Sequence, residues 1–338
     1  MNDAERLPVL DGLRAISILL VLAGHMLPLG PKILALNYAA AGMGMSLFFA
    51  LSGFLITSTL LRNDDVSEFL VRRIARIVPA AYLYAIIVYT LIMFNPEAML
   101  WTMSFVLNYF PEHMIGGLNN HFWSLCVEMQ FYFAIALVVF FLGRKGLWLV
   151  WPACVVVTLL RVNNGAAYYH LQTHLRVDEI LAGACVALLY RSEWKGSIKA
   201  APTLFITVAV LFWYLSAGPY TGWLQYLRPY ATAIVLVTVL RSTETLVTRA
   251  LSSQPAKYVA TISYALYIVH PATVHGWFNE GSVWERYLLK RPVSFAITFL
   301  AAHLSTFYWE RYWTQVAKKW IVRRRQHHAI ALREEKIG

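Results

Sequence analysis

Apolar stretches of about 15–20 residues recur along this chain, each with few or no charges. A helix needs about 20 apolar residues to cross roughly 30 Å of hydrocarbon, and lipid offers no partner to an open backbone. A single such stretch suits a buried core helix, but a whole chain of them makes an all-α, polytopic transmembrane helix bundle. Composition agrees. Of 338 residues, 59% are hydrophobic and 14% charged, where soluble domains carry about 25% charge. The net charge of +11 would suggest nucleic acid in a soluble protein. Here the basic residues lie between apolar segments, the pattern of cytoplasmic loops, so the expected surface partner is the lipid bilayer and not nucleic acid. Cys126, Cys154 and Cys185 fall in three separate segments, and neither a disulfide framework nor a metal site is expected from that spacing.

The basic residues predict about ten spans: 11–28, 43–61, 77–94, 121–142, 147–161, 176–190, 202–217, 229–240, 258–277 and 292–312. Both termini then lie in the cytoplasm with Arg6, Arg62, Arg72, Arg73, Arg76, Arg144, Lys145, Arg191, Lys195, Lys199, Arg241, Arg249, Lys257 and the cluster from Lys318 to Arg325. The opposite loops hold only Lys32, Arg228, Arg286, Lys290 and Arg291. Counting the short apolar stretch 99–110 as a span would put Arg144 and Lys145 outside, so it reads as a re-entrant or interfacial element on the outer side. The first segment reads as a retained helix, not a cleaved signal, because His25 interrupts its apolar run and Arg14 stands at its mouth. Residues 1–316 are expected to form one membrane-embedded domain, and 317–338 a basic cytoplasmic tail, a frayed helix on the inner membrane surface. The expected location is the inner (cytoplasmic) membrane.

Ionisable groups inside such segments each cost about 2.5–3.5 kcal/mol or more near the bilayer centre, so those that persist face a cavity or a partner. Arg14 and His25 are eleven residues apart on the first segment. At about 100° per residue they fall within about 20° of one face, roughly 16 Å apart along the axis. Asp11 is placed to pair with Arg14. Arg73 and Arg76 share a face at the cytoplasmic surface, and guanidinium forks suit phosphate oxygens. Gly42, Gly44, Ser46, Ser52 and Gly53 suit close helix packing. Glu128 lies in the segment that opens with His121, Phe122, Trp123 and Ser124 and continues to Tyr132. Arg176 and Asp178 stand at the outer end of the sixth span, where Arg176 is placed to pair with a nearby acid. Tyr264, Tyr267 and His270 form one polar stripe. His303 and Glu310 mark the last span.

These blocks resemble membrane acyltransferase family 3, integral-membrane O-acyltransferases of cell-surface glycans. The resemblance runs from about Leu7 to Glu310. It is carried by Arg-x10-His at Arg14 and His25, Ser-Gly-Phe at Ser52, Gly53 and Phe54, Arg-x-x-Arg at Arg73 and Arg76, and Trp-Ser-Leu-x-x-Glu at Trp123, Ser124, Leu125 and Glu128. Many members end the last span with Glu-Arg-Pro; here Glu310 and Arg311 precede Tyr312, which weakens any role assigned to Glu310.

The resemblance implies a cytoplasmic acyl-CoA co-substrate, usually acetyl-CoA, with no permanently bound cofactor, and a hydroxyl acceptor on an extracytoplasmic glycan or lipid-linked oligosaccharide. It places acyl-CoA against Arg73, Arg76, Ser52, Gly53 and Phe54. Histidine near neutral pH serves as a base or an acyl carrier, so His25 is expected to be catalytic, with Arg14 toward the donor and Asp11 positioning Arg14. Trp123, Ser124, Glu128, Tyr132, Arg176, Asp178, Tyr264, Tyr267 and His270 are expected to line the acceptor path or to serve as structural polar groups. Some members carry a fused hydrolase-like domain. This chain is expected to act alone or with glycan-assembly partner proteins. A proton-coupled transporter or flippase of a glycan precursor is the competing class, since it too uses intramembrane ionisable groups, but no inverted repeat is evident. A scaffold would leave the register of Arg14 and His25 unexplained.

Overall fold

The computed structural model describes residues 7–165, 170–191, 203–242 and 245–334. Arg6, Lys195 and Lys199, counted above among the cytoplasmic basic residues, and the last four residues of the expected tail lie outside them. The described residues are helical, without strands. The helices are α1 (Pro8–Met26), α2 (Leu36–Arg62), α3 (Val66–Ile87), α4 (Pro96–Met103), α5 (Phe122–Leu142), α6 (Val150–Asn163), α7 (Asp178–Arg191), α8 (Thr203–Ala217), α9 (Arg228–Arg241), α10 (Leu246–Leu251), α11 (Gln254–Val269), α12 (Arg291–Leu304) and α13 (Arg311–Glu334). Local chemistry sets several starts. Pro8 opens α1, where a missing N–H costs nothing. The side chains of Asp65 and Ser253 accept the first free amides of α3 and α11.

Several of these helices are fit to span a membrane. Among the described residues, Pro8–Met26, Lys32–Arg62, Val66–Ile92 and Phe122–Asn163 are long and apolar enough, and Phe205–Ala217 with Gly222–Arg241 form a pair bent by 113°. Large apolar side chains such as Phe94, Phe140, Phe141 and Leu159 face outward, as lipid-facing surface should. The 99–110 stretch makes only the eight-residue α4 and a short turn at Leu107–Tyr109, too short to cross.

The buried centre is α2. Its small residues let two neighbours approach: a Cβ on Gly44 would meet the Ser17 carbonyl of α1 at 2.7 Å, and Gly53 and Gly183 bring α2 against α7 so closely that a Cβ on either would overlap the other backbone. Ser46 accepts from Trp213 Nε1 and Thr232 Oγ1, each at 3.0 Å.

One end of the bundle is basic. Arg144, between α5 and α6, pairs with Asp64, between α2 and α3, at 3.0 Å, and holds the Asp64 carboxyl below the usual carboxylate range by hydrogen bonding. Arg324 and Arg325 of α13 pair with Asp65 (2.9 Å) and Glu68 (2.5 Å). The chain is helical without a break from Glu285 to Glu334. The boundary expected at 316 therefore falls inside α13, and the start of the expected frayed tail is a helix docked on α3. No proline or glycine interrupts 311–334, and the two ion pairs fix its side.

Candidate active site

At the end opposite Asp64, the C-termini of α1 and α11 meet. His25 Nδ1 lies 2.9 Å from His270 Nε2, with the rings stacked at 11° and 5.1 Å between centroids. His270 Nδ1 is 2.8 Å from the Tyr267 carbonyl. A carbonyl only accepts, so Nδ1 of His270 carries the hydrogen. A neutral His270 then presents a bare Nε2, His25 donates to it from Nδ1, and the basic nitrogen left on His25 is Nε2. His270 is buried while His25 keeps open surface. That surface lines a cavity of about 480 Å3 with His121, Trp123, Arg176, Arg228 and Tyr267.

The cavity wall is held by a dry ionic cluster. Arg161 Nη1 pairs with Asp178 at 2.6 Å, and Arg228 Nε pairs with Glu179 at 2.5 Å, with all four side chains fully buried. Arg176 lies 3.4 Å from Glu179 and 5.3 Å over the Trp123 ring. Tyr267 donates to the His121 carbonyl at 2.7 Å and accepts from Ser124 Oγ at 2.5 Å, so α11 is locked to the start of α5.

Toward the basic end, Arg14, Arg73 and Arg76 line a narrow chamber of about 50 Å3 with Phe48, Ser52, Glu128, Tyr132 and Tyr264. Arg14 and Arg76 also line a wider mouth of about 350 Å3, beside Asp11, Glu310 and Arg311. Asp11 is 3.7 Å from Arg14. Glu128 accepts from Ser52 and, at 2.5 Å, from Tyr132. Arg73 sits 5.6 Å from the Tyr132 ring centre. Tyr264 donates to the Ile77 carbonyl at 2.6 Å.

The residues singled out from sequence thus divide into two sites. Arg14 and His25 share a face but open into different cavities. Trp123, Arg176, Tyr267 and His270 gather at His25. Glu128, Tyr132 and Tyr264, grouped above with the acceptor path, stand with the arginines, because α5 and α11 each line both cavities and these residues lie nearer the basic end than Trp123 and Tyr267. Of the Ser-Gly-Phe block, only Ser52 lines the chamber. Gly53 packs on α7, and Phe54 meets Tyr190 with 5.9 Å between ring centres, since successive positions turn by about 100°. Asp178 pairs with Arg161 and does not line the cavity. Arg176 pairs with Glu179 and not Glu128.

Sequence reasoning missed Arg161, Arg228 and His121. Arg161 ends the expected fifth span, where the rule for intramembrane charges selects it. Arg228 counted as an outer loop cation, yet it is fully buried at the start of α9. His121 stands immediately before the helix that presents Trp123, and its ring centre lies 5.8 Å from that of His270.

Comparison with known proteins identifies the family. Residues 7–309 match a family model described as an acyltransferase domain. YrhL of Bacillus subtilis is 28% identical over 316 residues, 78% of this chain and 48% of that protein. The peptidoglycan O-acetyltransferase OatA of Listeria monocytogenes is 23% identical over 88% of this chain and 54% of its own. The O-acetyltransferase OatA of Staphylococcus aureus is 25% identical over 84% and 53%. The chain spans about half the length of these relatives. No solved structure matches. With the match running over nearly the whole chain, and with apolar helices fit to span a bilayer, this protein belongs to the integral-membrane acyltransferase family 3.

Proposed function

We propose that this protein is a multi-pass O-acyltransferase of the inner (cytoplasmic) membrane that moves an acyl group, acetyl in the first instance, from acyl-CoA to a hydroxyl of an extracytoplasmic glycan. The observation that carries the reading is the pair His25–His270, whose hydrogen-bond chain leaves a basic imidazole nitrogen on a cavity that also receives His121, Trp123 and Arg176. In this reading ten spans put both termini and the basic end in the cytoplasm, where the loops carry most of the arginine and lysine.

Acyl-CoA docks its phosphates in the mouth, against Arg14, Arg76 and Arg311. Its arm follows the chamber past Arg73, while Asp11 orients Arg14. In the histidine cavity the acceptor hydroxyl gives its proton to His25 Nε2 as its oxygen attacks the thioester carbon. The new C–O bond forms, the C–S bond breaks, and the imidazolium returns the proton to the departing CoA sulfur. Trp123 supplies a sugar-stacking face, and Arg176 a donor. Peptidoglycan is one candidate acceptor, from the name of the Listeria relative. Lipid-linked and exported oligosaccharides share the same hydroxyl chemistry.

Acetyl-CoA binding and CoA release by the purified full chain, with an oligosaccharide acceptor, test the donor. Mass spectrometry of surface glycans from a deletion strain tests the acceptor. Loss of glycan acetyl groups on deletion is expected. Acceptor export lost with acetylation intact would instead support a transporter.

A further inference from the structure

The arginine chamber and the histidine cavity share four helices, α1, α2, α5 and α11, while Arg73, Arg76 and Ile77 of α3 line the chamber alone. On α2, Ala41, Gly42 and Met45 line the cavity, while Phe48, Ser52 and Leu55 line the chamber. On α11 the stripe runs from Tyr264 in the chamber to Tyr267 and His270 in the cavity. On α1 it runs from Arg14 to His25, and on α5 from Glu128 to Trp123. On α2 and α11 these are successive turns of one helix face, and on α1 and α5 the chamber residues lie nearer the basic end than the cavity residues, so the two spaces follow one another along the bundle. Their linings meet at Phe48 and Tyr267, whose rings stack at 10° with centroids 6.1 Å apart.

The two rings are not equivalent. Tyr267 is tied by its hydroxyl to the His121 carbonyl and Ser124. Phe48 carries no polar anchor and is only partly buried, so a change of rotamer moves it without breaking a hydrogen bond. We propose that Phe48 is the movable leaf of a septum between the two cavities, and that its bulk against Tyr267 sets which acyl groups pass from the arginines to His25. The acyl-selectivity part rests on the donor reading above; the septum itself does not.

Two measurements separate these parts. In a chain with Cys126, Cys154 and Cys185 replaced by alanine, Met45→Cys places one thiol on the cavity wall. A small membrane-impermeant methanethiosulfonate is applied to right-side-out and to inverted vesicles. With Phe48 in place, labelling is expected from one face only. With Phe48→Ala, and more weakly with Phe48→Leu, it is expected from both. The same one-faced pattern in every variant overturns the septum, whether or not the protein uses acyl-CoA. In the natural chain, Phe48→Ala is expected to raise turnover of butyryl-CoA relative to acetyl-CoA at least ten-fold. Phe48→Trp is expected to lower acetyl-CoA turnover at least ten-fold. An unaltered chain-length profile in both variants overturns the selector role, and failure of the natural chain to bind CoA overturns the donor reading while the labelling result stands.

Discussion

At the basic end, Arg14, Arg73 and Arg76 line a narrow chamber, Arg14 and Arg76 also line a wide mouth, and each of the three keeps some exposure. At the histidine end, two stacked imidazoles are held by a backbone carbonyl, and the nearby charges are paired in dry contacts. The first arrangement suits a charged ligand that must come and go, because partly exposed guanidinium groups can exchange water for ligand oxygens. The second suits proton transfer, because a fixed tautomer and a rigid wall hold one nitrogen in one place. Substitutions at the histidine end should therefore act on turnover or on folding, and those at the basic end on affinity.

The largest effect is expected at His25. Under the proposed role of His25 as general base, whose removal costs about 10²–10⁴-fold in rate, His25→Ala should reduce glycan acetylation by about that factor, with normal membrane levels and an unchanged Kd for CoA. Acetylation within a few-fold of the natural chain would break the division of labour.

The ionic wall comes next. Breaking one partner of a buried ion pair costs about 3–5 kcal/mol, because the other charge stays buried. Asp178→Asn should lower the unfolding midpoint in detergent sharply, and Arg161→Met with Asp178→Leu should recover part of the loss. If Asp178→Asn unfolds like the natural chain while losing activity, the wall belongs to the chemistry rather than to the scaffold.

How far these regions were legible in sequence follows from their physics. The helix faces were readable, because apolar length and helical register are local properties. Arg14 with His25, Arg73 with Arg76, and the stripe Tyr264–Tyr267–His270 all sit on the expected faces. The pairing of His25 with His270 joins positions 245 apart in the chain, and no local pattern encodes it. The ionic wall was hidden for the same reason: Arg161, Asp178, Glu179 and Arg228 lie on three helices, and each alone resembles an anchor at a span end. The split of one polar face into two cavities depends on Phe48 and Tyr267, two aromatic residues that composition counts as ordinary apolar mass. The contact of α13 with α3 is non-local too: Arg324 and Arg325 meet Asp65 and Glu68, acids far from them in the chain.

Smaller effects are expected at the basic end. A hydrogen bond to a charged group contributes about 1.5–3 kcal/mol, so Arg73→Ala with Arg76→Ala should weaken CoA binding by about ten-fold or more. Turnover at saturating acyl-CoA should change far less. A fall in turnover with unchanged affinity would move the CoA site elsewhere.

The smallest effect should come from the outer contact of α13. The pair of Arg324 and Asp65 is well exposed, and such pairs are worth about 0–1 kcal/mol. Arg324→Ala should leave both the unfolding midpoint and the Kd for CoA near those of the natural chain. Arg325 differs, because its partner Glu68 also accepts from Arg72 and is almost fully buried. Arg325→Ala removes one of two cations from that carboxylate, and its destabilisation should exceed that of Arg324→Ala and shrink less in high salt. If the two variants behave alike, α13 is held by its apolar face, and the basic end owes its shape to packing rather than to charge.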